Sequence, residues 1–208
     1  VSTGSVQFNN YKWGFDAQDE LYFKFNEIVI NAIDASIFRD ASKPNEPKEN
    51  YLYGYKLRDM KFPFEVATLK INNSKLTYEE ATTSTAEAGK LSFTSFNLTA
   101  KNVYSGYKRK SGPRTQINVQ TQFMDKAKLT ASWSFDIMDK TDSFNINGDL
   151  NNFPAIGMNP FLKPYMNVSA SGTIDRMVFN FSGNNNTSTG DFGMDFRNLN
   201  MKIFNKED

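Results

Sequence analysis

The sequence predicts a mainly β protein, a curved and largely antiparallel sheet with one short helix, and three observations carry that reading. From Leu129 to Phe204, segment after segment alternates apolar and polar residues; Asn, Gly and Asp recur between the segments; and one stretch alone, Pro154 to Met166, carries a convincing helical signal. In the run Leu129 to Ile137, side chains of an extended chain point to alternate faces. Leu129, Ala131, Trp133, Phe135 and Ile137 then share one face, and Thr130, Ser132, Ser134 and Asp136 share the other. A sheet that is apolar on one side needs a cover, and whether that cover is protein or a bound apolar molecule is the functional question.

Taken in order, Val6 to Phe8, Leu21 to Phe25 and Ile28 to Ile33 read as strands ending at Ile37 to Asp40, with Ala32 to Phe38 also compatible with a helical turn. Residues 41–50 hold two prolines and almost nothing apolar, which predicts an exposed loop. Phe62 to Ile71, an Asn72-Asn73 turn and Lys75 to Glu79 spell a β-hairpin. Thr82 to Gly89 is small and polar, a second loop. Leu91 to Val103 alternates with a slip between Phe93 and Phe96, the signature of a bulge. Lys108, Arg109, Lys110 and Arg114 form a basic loop. Further strands are expected at Ile117 to Met124, Leu129 to Ile137, Phe144 to Leu150, Val168 to Ile174, Met177 to Phe181 and Phe192 to Phe204, joined as an antiparallel meander. Pro160 suits the first turn of a helix, and Pro154 to Met166 is expected to plug one end of the sheet or to gate its mouth.

At 208 residues the chain is long enough for a substantial core, and a single elongated domain over 1–208 is expected. It opens on Val1 rather than Met, so it is expected to be part of a longer or processed protein. The balance of 24 basic and 23 acidic residues, net +1, supplies no extended basic footprint for nucleic acid. The chain has no Cys and no His, which removes disulfides, thiolate chemistry, the commonest general base and the commonest transition-metal ligand. No apolar run approaches the roughly 20 residues of a membrane-spanning helix.

No catalytic residue, cofactor or metal site is expected. Glu79 and Glu80 are neighbours on a strand and point to opposite faces, so they cannot flank one bond. Asp136, Asp139 and Asp142 lack the alternate-residue spacing and central Gly of a calcium loop and read as a solvated turn. The basic loop, Lys108, Arg109, Lys110 and Arg114, is a weak candidate for contact with anionic head groups, its alternative being a solubilising loop at a sheet edge.

The ordered series Phe144 to Leu150, Asn159-Pro160-Phe161-Leu162-Lys163-Pro164, Val168 to Ile174, Phe179 to Asn184, Gly190 to Met194 and Asn198-Leu199 resembles the AsmA-like envelope proteins, in particular versions from Bacteroidetes-type bacteria. Ile37 to Asp40, Leu69 to Asn72 and Leu76 to Glu80 agree with it. The resemblance, which extends to TamB-like and bridge-like lipid-transfer proteins, implies a sheet curled into a trough or partly closed barrel, β-taco-like, in the periplasm of a Gram-negative cell. It also implies an inner-membrane anchor outside this sequence and phospholipid or other acyl-chain lipid in the trough. On that reading Leu129, Trp133, Phe135, Ile137, Phe144, Ile146, Leu150, Ile174, Phe179 and Phe181 contact acyl chains. The same side chains would equally build the core of a closed β-sandwich, a surface module that recognises glycan or protein through its loops, or a spacer without ligand.

Overall fold

The computed structural model describes residues 1–41, 51–82 and 87–204. Ten strands form one sheet: β1 (Ser5–Phe15), β2 (Leu21–Asn31), β3 (Asp34–Asp40), β4 (Phe64–Ala81), β5 (Gly89–Tyr104), β6 (Thr115–Phe123), β7 (Ala127–Phe135), β8 (Phe144–Pro154), β9 (Val168–Gly183) and β10 (Ser188–Ile203). Their order is β1-β2-β4-β5-β6-β7-β8-β9-β10, with β3 beside β4. The sheet is curved and does not close, so the molecule is one layer with two faces rather than a sandwich. The expected loops at 41–50 and Thr82 to Gly89 fall largely on residues outside those described. None of the described helices is long and apolar enough to cross a membrane.

Two expectations about connectivity are corrected. The predicted hairpin around Asn72-Asn73 is one continuous strand, β4. Asn73 adopts the left-handed conformation, φ 48°, and its N–H donates to Asn97 Oδ1 at 3.1 Å; this makes a bulge that shifts the side-chain phase without reversing the chain. The sheet is also not a pure antiparallel meander, because β2 and β3 both run parallel to β4. They lie end to end along its same edge, broken at Ala32, φ 54°, opposite the Asn73 bulge. The link from Asp40 to Phe64 is long enough for the crossover that parallel neighbours require.

Bulges recur wherever the alternation slips. The slip between Phe93 and Phe96 is a bulge at Ser95, φ 46°. Asn10, Asn102, Asn152 and Asn198 are left-handed inside strands as well, so many of the asparagines read as turn residues in fact re-phase strands. The two runs Val168 to Ile174 and Met177 to Phe181 are one strand, β9, which pairs with β8 and β10 along its length.

Helical structure sits at both ends of the apolar face. Pro154 to Met166 folds as expected, into a 3-10 turn (Ala155–Met158) and the helix α2 (Asn159–Met166), with Pro160 in its first turn. Asn159 binds the backbone of Ala170 through both side-chain atoms, at 2.7 and 3.2 Å, as a neighbouring strand would. A second, six-residue helix, α1 (Tyr53–Arg58), has no capping side chain and no sequence signal. Its last turn is held by tertiary bonds from Arg58 to the carbonyls of Ile137 (2.9 Å) and Asp139 (2.6 Å).

The core is split accordingly. One buried cluster, Met124, Ala127, Leu150, Phe153 and Ile174, has Met158 of the 3-10 turn packed on it; the other, Tyr104, Phe135 and Ile137, lies against Leu57 of α1. Replacing Asn73 by Val forces a β-branched residue into a left-handed backbone and is expected to cost about 1–2 kcal/mol or more in denaturant unfolding. Asn73→Gly, with no Cβ to clash, should cost less; equal losses would show that the bulge does not depend on that conformation.

Candidate functional site: an apolar groove beneath a short helix

Strand register assembles the apolar face into continuous rows. Phe8, Ile28, Leu69, Ala100, Ile117, Trp133, Ile146 and Phe181 are successive cross-strand partners from β1 to β9, the row ending opposite Gly190 of β10. A parallel row runs Val6, Ile30, Ile71, Leu98, Val119, Ala131, Gly148, Phe179 and Phe192. Gly148 is required there, since a Cβ would lie 2.4 Å from the Phe179 ring. The opposite face carries Lys70, Thr99, Asn118, Ser132, Asn147 and Asn180 in one cross-strand line.

The middle of these rows borders a cavity of about 460 Å³ lined by Leu69, Ile71, Leu98, Ile117, Val119, Trp133 and Ile146, with Tyr53 and Leu57 of α1 beside them. The Tyr53 ring meets Trp133 edge-on, centroids 5.4 Å apart. Cover is incomplete: Leu69, Ile71, Leu98, Ile117, Val119, Trp133 and Ile146 are all only half-buried. At the sheet edges the rows run into the open, with Phe8 51% and Phe192 59% exposed. The apolar rows are therefore open to solvent at both edges of the sheet.

The ten residues expected to face acyl chains divide by position. Trp133, Ile146, Phe179 and Phe181 lie in the two open rows, and Leu129 is half-buried in the next row with Leu150 and Met177. Leu150 and Ile174 belong to the sealed cluster at the α2 end; Phe135 and Ile137 belong to the buried cluster at the α1 end, with Phe144 packed on it, and Phe135 also borders the cavity. Ile137 is not on the strand at all, because β7 stops at Phe135 and Ile137 is fully buried in the loop that follows. Residues of β4, β5 and β6 were not among the expected contacts, although Leu69-Lys70-Ile71 and Ile117-Asn118-Val119 show the same alternation; Tyr53 and Leu57 carry no such signal.

The basic loop is partly engaged with the sheet. Lys108 Nζ donates to Glu20 at 2.7 Å, as does the Tyr107 hydroxyl, and the bond from Lys108 holds the Glu20 carboxyl below its usual pKa. Arg109 pairs with Glu65 and lies over the Tyr104 ring, 4.7 Å from its centroid. Lys110 and Arg114 are exposed. Glu79 pairs with Lys90, and the nearly buried Glu80 accepts from the Tyr78 hydroxyl and pairs with Arg39.

The three aspartates after β7 brace a loop rather than gather round an ion, and no metal-holding cluster of acidic side chains occurs among the described residues. Asp136 accepts from the N–H of Met138, and Asp142 pairs with Arg58 at 2.9 Å with its side chain 6% exposed. Asp139 accepts from the Ser143 hydroxyl and from both the N–H and hydroxyl of Thr141, bonds that lower its pKa to about 2.

Comparison with family models, with curated proteins and with solved structures returns no match. The family resemblance therefore stands on the order of the sequence motifs.

A carboxyl whose pKa falls on folding stabilises the fold above its unfolded value and loses that contribution as pH drops through the folded value. Asp139 should thus make the protein lose stability as pH falls from about 4 towards 2, and Asp139→Asn should flatten that part of a stability–pH profile. Arg58→Ala strands the buried Asp142 carboxylate and is expected to cost about 3 kcal/mol; an unchanged melting temperature would show that α1 is not held by this pair.

Proposed function

We propose that the protein is a non-catalytic, lipid-holding section of an AsmA-like envelope protein, keeping the acyl chains of a phospholipid or similar lipid against the apolar face of its sheet. One observation carries the reading: two apolar rows cross the sheet in register, and among the described residues most of their side chains stay only half-buried or exposed between two buried clusters. The cavity between those clusters falls within the range of about 300–1,000 Å³ common for small-molecule sites, and the residues that border it are almost all hydrocarbon.

In the cell this section would sit in the periplasm, tied to the inner membrane by an anchor outside this sequence, and serve lipid movement between membranes or outer-membrane biogenesis. The open sheet edges suit such a task, since a trough continued by further strands needs no closure. Acyl chains binding here would gain about 25 cal/mol for each Å² of apolar surface removed from water. Polar head groups would remain in solvent or find a separate site.

Protein purified without detergent should yield co-purifying lipid on organic extraction. Ile146→Asp and Leu98→Asp place a charge in the groove and should lower lipid recovered from folded protein by about tenfold. Asn118→Asp, on the polar face, should leave it unchanged. Lipid-free wild-type protein, or equal recovery from all variants, would sink the reading.

A further inference from the structure

The two edges of the sheet match each other. Strands β1 and β10, 11 and 16 residues long, each have a neighbouring strand on one side only among the described residues, and neither contains proline. Asp16 donates its N–H to the Glu20 carbonyl across the β1–β2 turn, and Asn184 donates its own to the Thr187 carbonyl across the β9–β10 turn. Backbone groups alternate in direction along a strand, so these bonds turn the N–H and C=O of Tyr11, Trp13, Met194 and Phe196 outward. Each edge thus offers open ladder groups on the same residues that carry its apolar face.

The phase of the apolar face breaks in the same way on both. On β1 it runs through Val6 and Phe8, then Tyr11, Trp13 and Phe15, with left-handed Asn10 at the break. On β10 it runs through Phe192, Met194 and Phe196, then Leu199 and Met201, with left-handed Asn198 at the break. The pairings across the sheet leave β1 and β10 running in opposite directions, so a second copy set alongside in the same orientation brings its β1 antiparallel to β10. Superposing the two breaks places Trp13 opposite Met194, Tyr11 opposite Phe196 and Phe8 opposite Leu199, all on one face. On the other face the same register sets Lys12 opposite Asp195, a pairing of opposite charges. Both are exposed, and neither has an ion pair among the described residues. Within its own sheet Lys12 lies opposite Lys24, and Asp195 lies opposite Arg176, whose guanidinium is bonded to Asp149.

We propose that the protein associates with further copies of itself head to tail, β10 of one copy pairing antiparallel with β1 of the next, so that a single apolar face continues across both. Main-chain hydrogen bonds hold the two edges together, and the matched breaks together with Lys12 and Asp195 fix the register. Unlike edges are joined, so each added copy leaves one of each open and assembly continues until it closes into a ring. Pairing lengthens the groove described above but does not require lipid in it.

The chain has no Cys, so single introduced cysteines report the register directly. Lys12 and Asp195 would form a non-hydrogen-bonded antiparallel pair, whose Cα atoms lie about 4.5 Å apart, within the span of a disulfide. Lys12→Cys and Asp195→Cys proteins, mixed without lipid or detergent and oxidised, should yield about tenfold more dimer linking one of each than Lys12→Cys mixed with Asp191→Cys, which lies on the same face but out of register. Equal yields from the two mixtures, or no dimer from either, overturn the pairing. Both cysteines in one chain should yield linked multimers; an internal disulfide in a monomer would show that the sheet closes on itself, and overturns it too. In sedimentation velocity the wild-type protein should form species larger than the monomer as concentration rises, Lys12→Asp should weaken that association, and adding Asp195→Lys to the same chain should restore it. A wild-type monomer at every concentration overturns the proposal while leaving the groove, tested separately by lipid recovery, intact.

Discussion

A sheet one layer thick must keep its apolar side chains on one face, and everything else in this protein follows from how the chain meets that constraint. Strands of up to 18 residues are too long for unbroken alternation to stay matched to both neighbours as the sheet curves. Left-handed residues inside strands, Asn73 and Ser95 among them, each insert one position and return the next apolar residue to the same side. On β1, β2, β4 and β5 the row Phe8, Ile28, Leu69, Ala100 is followed three residues away by Tyr11, Phe25, Val66 and Val103. The shift is shared by adjacent strands, so the register survives and the face stays continuous.

A continuous face creates an imbalance that the two short helical pieces only partly relieve. Buried clusters form where the 3-10 turn and α1 press on the sheet, and they contain the fully buried apolar side chains Phe153 and Ile137. Between them most of the side chains are only half-buried. The stability of the fold and the proposed lipid site therefore draw on adjoining parts of one surface, which share Ile117, Trp133 and Phe135. Polar substitutions at Phe153 or Ile137 act on folding, whereas those at Ile146 or Leu98 act on what the groove can hold.

Strand periodicity made much of this legible in advance. The faces of β7 and β8, the bulge near Ser95 and the helical stretch at Pro154 to Met166 all follow from alternation and proline placement. Asn72-Asn73 misled because the same two residues favour a hairpin turn and a left-handed bulge, and local sequence does not distinguish them. The neighbours decide it: β2 and β3 lie along the whole edge of β4 and hold it straight through the bulge. Ile137 misled for a related reason, since its alternation continues past the point where β7 leaves the sheet and the chain turns under α1.

The sequence by itself determined the class of structure, the identity of the apolar face and the absence of histidine and thiol chemistry, because each of these is a local property of residue order or composition. Tertiary structure alone decided the parallel crossover, the existence of α1, and which apolar residues are sealed and which stay open. Those outcomes depend on contacts between segments far apart in the chain, such as Arg58 with Asp142 and Asn185 with Thr141. Such contacts form only once the sheet has brought both partners to the same end of the groove.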